Sequence, residues 1–160
     1  LLHLDLKPSN IYLRGDNTPV LIDFGAARQT LITDQPILKP MYTPGFASPE
    51  HYGNRKDLGP WSDIYSVGAS MYACLAGVAP QAADARMKKD TLPPAMMRWD
   101  GQYSDRLLEI IDWCLNLNHL YRPQSVFALQ KALVETITPP RPKANPNWLG
   151  RFVEKLRKPI

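Results

Sequence analysis

Nowhere do these 160 residues hold an apolar run approaching the roughly 18 positions that a membrane-crossing helix needs. The opening Leu1-Leu2 passes straight into polar residues, so no secretory leader is expected. Cysteine is scarce. Cys74 and Cys114 each sit inside an apolar stretch with helical spacing, and the expectation is two buried, reduced thiols and a cytoplasmic setting. Internal repeats are absent. A broad basic surface is missing too, because the net charge of +4 is concentrated in Pro139–Ile160. That segment sets Arg141, Lys143, Arg151, Lys155, Arg157 and Lys158 against Glu154 alone, which makes it +5 and the remainder −1. Nucleic-acid binding by the body of the chain is therefore not expected.

The composition, 44% hydrophobic and 21% charged with 16 prolines, is that of one globular domain. Ile11–Leu13 and Val20–Ile22 are short apolar runs around the turn-rich Gly15-Asp16-Asn17-Thr18-Pro19, which predicts two short paired strands. The stretch from Gly25 to Pro49 has no sustained periodicity and contains Pro36, Pro40, Pro44 and Pro49, as a long ordered loop would. Helices follow. Ser62 or Asp63 is placed to cap one over Ile64–Leu75, apolar nearly all round and so central, and stopped by Gly77 and Pro80. Ser104 or Asp105 caps a second, with Leu107, Leu108, Ile111, Cys114 and Leu115 along one side. A third spans Ser125–Ile137, with a stripe of Val126, Leu129, Leu133 and Ile137. Pro139-Pro140-Arg141-Pro142 then reads as a linker.

The chemistry is concentrated at the start. His3-Leu4-Asp5-Leu6-Lys7-Pro8-Ser9-Asn10 is followed, 13 positions after Asn10, by Asp23-Phe24-Gly25. Phosphoryl transfer asks a protein for a base, cations against phosphate charge, and hard oxygen ligands for Mg²⁺. Asp5 can take the hydroxyl proton, Lys7 can offset phosphoryl charge, and Asn10 and Asp23 offer the oxygens. Alone, Asp-Phe-Gly is a turn after a strand and His-x-Asp means little. Together at this spacing, after two short apolar runs, they make a specific signal.

The pair resembles the catalytic loop and magnesium-binding triplet of protein kinases. Small-molecule kinases of the aminoglycoside type share a similar first motif, and the later ones decide. Tyr42-Thr43-Pro44-Gly45-Phe46-Ala47-Ser48-Pro49-Glu50 is similar to the family's peptide-docking loop, with Ser48 for the alanine of Ala-Pro-Glu. Asp63-Ile64-Tyr65-Ser66-Val67-Gly68 resembles the start of the central helix, and Leu120-Tyr121-Arg122-Pro123 the late Arg-Pro element. The motifs run in family order over 1–138, with 139–160 as a Pro-rich basic linker and amphipathic tail.

The resemblance implies a mainly α fold with short β-hairpin elements, the C-terminal lobe of the α+β kinase fold with the N-terminal lobe absent. It implies ATP and Mg²⁺ as cofactors and a protein substrate. Asp5 becomes the base, Lys7 the phosphate contact, and Asn10 with Asp23 the metal and nucleotide ligands. Thr43 would bridge Asp5 and Lys7 and, with Lys7, marks the serine/threonine branch. His3 and Phe24 would stack as structural residues beside Gly25, Glu50 would pair with Arg122, and Asp63 would hold the backbone around His3 and Leu4. Two features depart from the pattern. Leu4 replaces an arginine whose charge calls for a loop phosphate, so loop phosphorylation is not expected to be required. Tyr12 replaces an aliphatic residue beneath the adenine.

A glycine-rich phosphate loop, a strand lysine and its glutamate partner are absent, so a fragment is expected, inactive until completed by its N-lobe. Apolar surface left by that lobe, including Tyr12 and Phe24, would favour self-association. The alternatives to a serine/threonine kinase are a non-catalytic scaffold that binds proteins and a small-molecule phosphotransferase. In the tail, Trp148, Leu149, Phe152, Val153 and Leu156 share a helical face ringed by basic residues. Residues 147–158 thus suit either an anionic membrane surface or packing back onto the lobe.

Overall fold

The computed structural model describes residues 1–27, 42–53 and 55–134. Strands β1 (Ile11–Leu13) and β2 (Pro19–Leu21) pair antiparallel, with Tyr12 opposite Val20. The tip closes where Asp16 Oδ1 accepts the Thr18 N–H at 2.9 Å and Asn17 takes a φ of 63°, a conformation asparagine tolerates. At the mouth, Ile22 N–H donates to Asn10 O at 3.0 Å. The hairpin thereby holds the ends of the His3–Asn10 and Asp23–Gly25 motifs side by side.

The rest is helical: α1 (Pro49–Tyr52), α2 (Pro60–Ala76), α3 (Ala83–Lys88), α4 (Ala95–Arg98), α5 (Asp105–Cys114) and α6 (Val126–Val134). Helix α2 starts earlier than the Ile64 expected from sequence. Pro60 at its first turn has no N–H to leave unpaired, and Ser62 Oγ accepts the Gly59 N–H from inside the helix at 3.2 Å. Ser62 and Asp63 are thus first-turn residues, not caps. Ser104 does cap α5, accepting from Leu107 N.

The core forms where α2 crosses α5. Tyr65, Ala69 and Tyr72 pack with Leu108, Ile111 and Leu115, and Trp99 and Ala95 close one end. A second cluster joins Ile64, Ile110 and Cys114 to Leu129 and Ala132 of α6. The crossing is close at Gly68, where a Cβ would lie 2.5 Å from that of Cys114. Burial pushes the Cys114 thiol up to about 12.

Two expectations need correction. Cys74 is exposed, not buried; it lies on the rim of an apolar groove of about 460 Å³ lined by Leu6, Ile11, Met71, Leu75 and Leu107. In α6, the buried residues are Leu129 and Ala132, while Val126 and Leu133 are exposed. The buried edge keeps Leu129 from the expected stripe but continues at Ala132 rather than Leu133, facing Ile64 of α2 and Ile110 and Cys114 of α5. Ile137, most of the long loop and the amphipathic tail lie outside the described residues.

Candidate active site

The central feature is a closed ring of three polar side chains. Lys7 Nζ donates to Asp5 Oδ2 at 2.7 Å and to Thr43 Oγ1 at 2.6 Å, and Thr43 donates its hydroxyl to Asp5 Oδ1 at 2.7 Å. Each Asp5 oxygen therefore holds one donor and keeps acceptor capacity for an incoming hydroxyl. Asn10 is buried, and its Nδ2 donates to Asp5 O at 2.9 Å, which fixes the amide and reserves its carbonyl oxygen. Pro8 starts a 3₁₀ turn, Pro8–Asn10, that brings Asn10 back under Asp5.

The main chain before Asp5 is tied down from below. Asp63, in the first turn of α2, accepts His3 N–H and Leu4 N–H on its two oxygens, both at 2.8 Å. The His3 ring faces the second motif, with Nε2 3.1 Å from Ile22 O and its centroid 4.7 Å from that of Phe24. Asp23 is exposed, takes a φ of 62°, and accepts Gly25 N–H on Oδ1 at 3.2 Å. Tyr12 is exposed on β1, and Phe24 stands partly in solvent.

Asn10 and Asp23 provide one carboxamide and one carboxylate oxygen on neighbouring ends of the hairpin. That donor set fits Mg²⁺, which takes one or two protein oxygens and completes its shell with phosphate and water. Among the described residues no group of three or more His, Cys, Asp and Glu could form a protein-only metal cage.

The docking loop is seated on the helices. Gly45 adopts a φ of 90°, and a Cβ there would meet Pro80 O at 3.0 Å. Ser66 Oγ donates to Phe46 O at 2.8 Å. Below, Arg122 is buried and all five of its donors are used: two on Glu50 and the others on Asn116 O, Trp61 O and Leu117 O. Desolvation lowers the Arg122 pKa, and the Glu50 carboxylate works against that fall. His119 stacks on Trp61 and approaches Glu50 Oε1 at 3.6 Å.

Sequence reasoning noted Ser48 only as a replacement for alanine, without a role, and passed over His51. Ser48 Oγ lies 2.9 Å from His51 Nδ1, and His51 Nε2 lies 3.0 Å from Leu4 O. The distance suits a nucleophile and its base, but Ser48 is fully buried and the far nitrogen meets a carbonyl rather than a carboxylate. A covalent hydrolase is excluded at this pair. Its only sequence signal is a polar residue directly after Glu50.

Comparison with known proteins agrees with this geometry. The model of the protein kinase domain family matches residues 1–134, and the chain belongs to that family. It is 34% identical to the human serine/threonine-protein kinase Nek2, covering 99% of this chain and 36% of Nek2. Against serine/threonine-protein kinase C of Synechocystis sp. the identity is 31%, over 86% of this chain and 25% of that protein. Among solved structures, the apo form of PpkA-294 superposes with a TM-score of 0.70 at 33% identity, covering 82% of this chain and 46% of that one. The chain thus spans about a quarter to a third of these curated relatives.

Proposed function

We propose that this chain is the C-terminal lobe of an ATP- and Mg²⁺-dependent serine/threonine protein kinase, completed by an N-terminal lobe. The observation that carries the reading is the Asp5–Lys7–Thr43 ring, held from beneath by Asp63. When bound, Mg²⁺–ATP supplies the phosphoryl group. A substrate serine or threonine hydroxyl would donate to an Asp5 oxygen, and Asp5 would take that proton as the new oxygen–phosphorus bond forms and the bond from the γ-phosphorus to the bridging oxygen breaks, with ADP as the leaving group. Thr43 keeps the carboxylate from rotating, and Lys7 holds positive charge where phosphoryl charge builds. Asn10 and Asp23 would hold the metal, and Tyr12 would face the adenine. Most of the catalytic effect in such a site is positioning and charge stabilisation, which needs both lobes. The exposure of Tyr12 and Phe24 supports an N-terminal lobe packed over this face, and self-association when that lobe is missing.

The test is phosphorylation of protein serine and threonine by the full-length protein and its Asp5→Asn variant. Loss of transfer with an unchanged melting temperature supports Asp5 as the base. Substantial transfer by the variant removes it from that role, and a parent that transfers nothing favours the protein-binding scaffold.

A further inference from the structure

Leu4 is where the catalytic loop turns, and it turns against its own preference. Its φ of 66° puts a non-glycine residue in the left-handed region, where its Cβ crowds the backbone. Asn17 and Asp23 share that region, but they are residue types whose side chains can bond the local backbone. Leucine has no such bond to make, so its neighbours must impose the conformation.

They do so at both ends of the residue. The Leu4 N–H donates to Asp63 Oδ1 at 2.8 Å, and Leu4 O faces His51 Nε2 at 3.0 Å. A carbonyl only accepts, so His51 carries its hydrogen on Nε2. In the neutral ring Nδ1 then accepts the Ser48 hydroxyl at 2.9 Å. Burial lowers the His51 pKa and keeps the ring in that state, against Glu50 and Asp63, which act to raise it. The ring is walled by Tyr42, edge-on at 5.7 Å, and Tyr42 directly precedes Thr43. The docking loop and the short helix α1 that follows it therefore reach Asp5 twice: at its carboxylate through Thr43, and at the carbonyl just before it through His51.

We propose that His51 is a positioning residue that locks Leu4 in its left-handed turn and thereby sets where the Asp5 carboxylate stands. Seating of the docking loop then becomes a condition of catalysis. The proposal rests on the reading of Asp5 as the base. It differs from the roles of Glu50 and Arg122, whose hydrogen bonds run to each other and to Asn116 O, Trp61 O and Leu117 O.

The test compares His51→Leu and His51→Gln in the full-length protein. A carboxamide offers one acceptor and one donor in the same 1,3 relation as the two imidazole nitrogens, so glutamine can bond both Ser48 and Leu4. His51→Leu should lower kcat about 10- to 100-fold, the range expected when a catalytic group is misplaced, with KM for ATP within about threefold of the parent. Amide hydrogen exchange across His3–Lys7 should accelerate in the same variant. His51→Gln should recover most of both losses. Parent-like kcat and exchange in His51→Leu would overturn the proposal, as would a His51→Gln variant that falls as far as the leucine. A parent protein that phosphorylates nothing would sink the kinase reading instead, and amide exchange would still decide the lock.

Discussion

Arg122 and Glu50, 72 residues apart in sequence, meet in the interior with Nη2 and Oε1 2.7 Å apart. The contact joins the end of the docking loop to the segment between α5 and α6. Because Arg122 also bonds three main-chain carbonyls, it supports more than its partner does.

The two single variants should therefore differ. Arg122→Leu strands the Glu50 carboxylate and three carbonyls and should cost about 3–5 kcal/mol. Glu50→Gln keeps a neutral acceptor against the guanidinium and should cost clearly less. Chemical denaturation measures both. Equal losses would show that the carbonyl bonds contribute nothing.

Thr43 tests the ring from its third side. Thr43→Val keeps the shape of the side chain and removes the hydroxyl that holds Asp5 Oδ1 and Lys7 Nζ. Asp5 would then be free to rotate, and kcat should fall about 10- to 100-fold, as for other losses of positioning. Thr43→Ser, which keeps the hydroxyl, should fall less far. Steady-state phosphorylation gives the ordering, and valine matching serine would remove the hydroxyl from the account.

Much of this architecture was legible, and the illegible parts share a cause. Helices α2 and α5 declared themselves because each carries enough apolar residues at helical spacing to form its face of the core. Helices α3 and α4 did not, because what holds them is contact with residues distant in sequence. Asp112 of α5 accepts the Ala95 and Met96 N–H groups at 2.6 and 3.1 Å, and Arg86 bonds Tyr65 and Leu115 O. Such short helices have no signature of their own. Cys74 misled because apolar neighbours in sequence do not reveal that the groove beside the end of α2 is open. In the candidate site, Asp5, Lys7, Asn10 and Asp23 stood out by motif spacing, and Asp63 through the family resemblance of its segment. His51 was not, since its partner is a main-chain carbonyl 47 residues away.

His51 also gives the fold a directional response to pH. Desolvation is the largest influence on the ring and lowers its pKa from the ordinary 6.5, while Glu50 and Asp63 oppose the fall. In the unfolded chain the same ring titrates near its ordinary value. As pH drops through and below 6.5, the unfolded chain therefore takes up a proton that the folded ring refuses, and stability declines. Well above that pH both states are neutral at this position and the contribution is flat. Asp112 acts in the opposite sense, because burial raises its carboxyl pKa and the folded state binds the proton more readily as pH falls. That effect sits above the carboxyl's ordinary 3.8 and does not depend on His51. Melting temperatures at pH 7.5 and 5.5 separate the two. The parent should lose more between these values than His51→Gln, which has no ring to protonate, and Asp112→Asn should retain the parent's decline. An equal decline in the parent and His51→Gln would mean that the His51 ring accepts its proton in the folded state as readily as in the unfolded one.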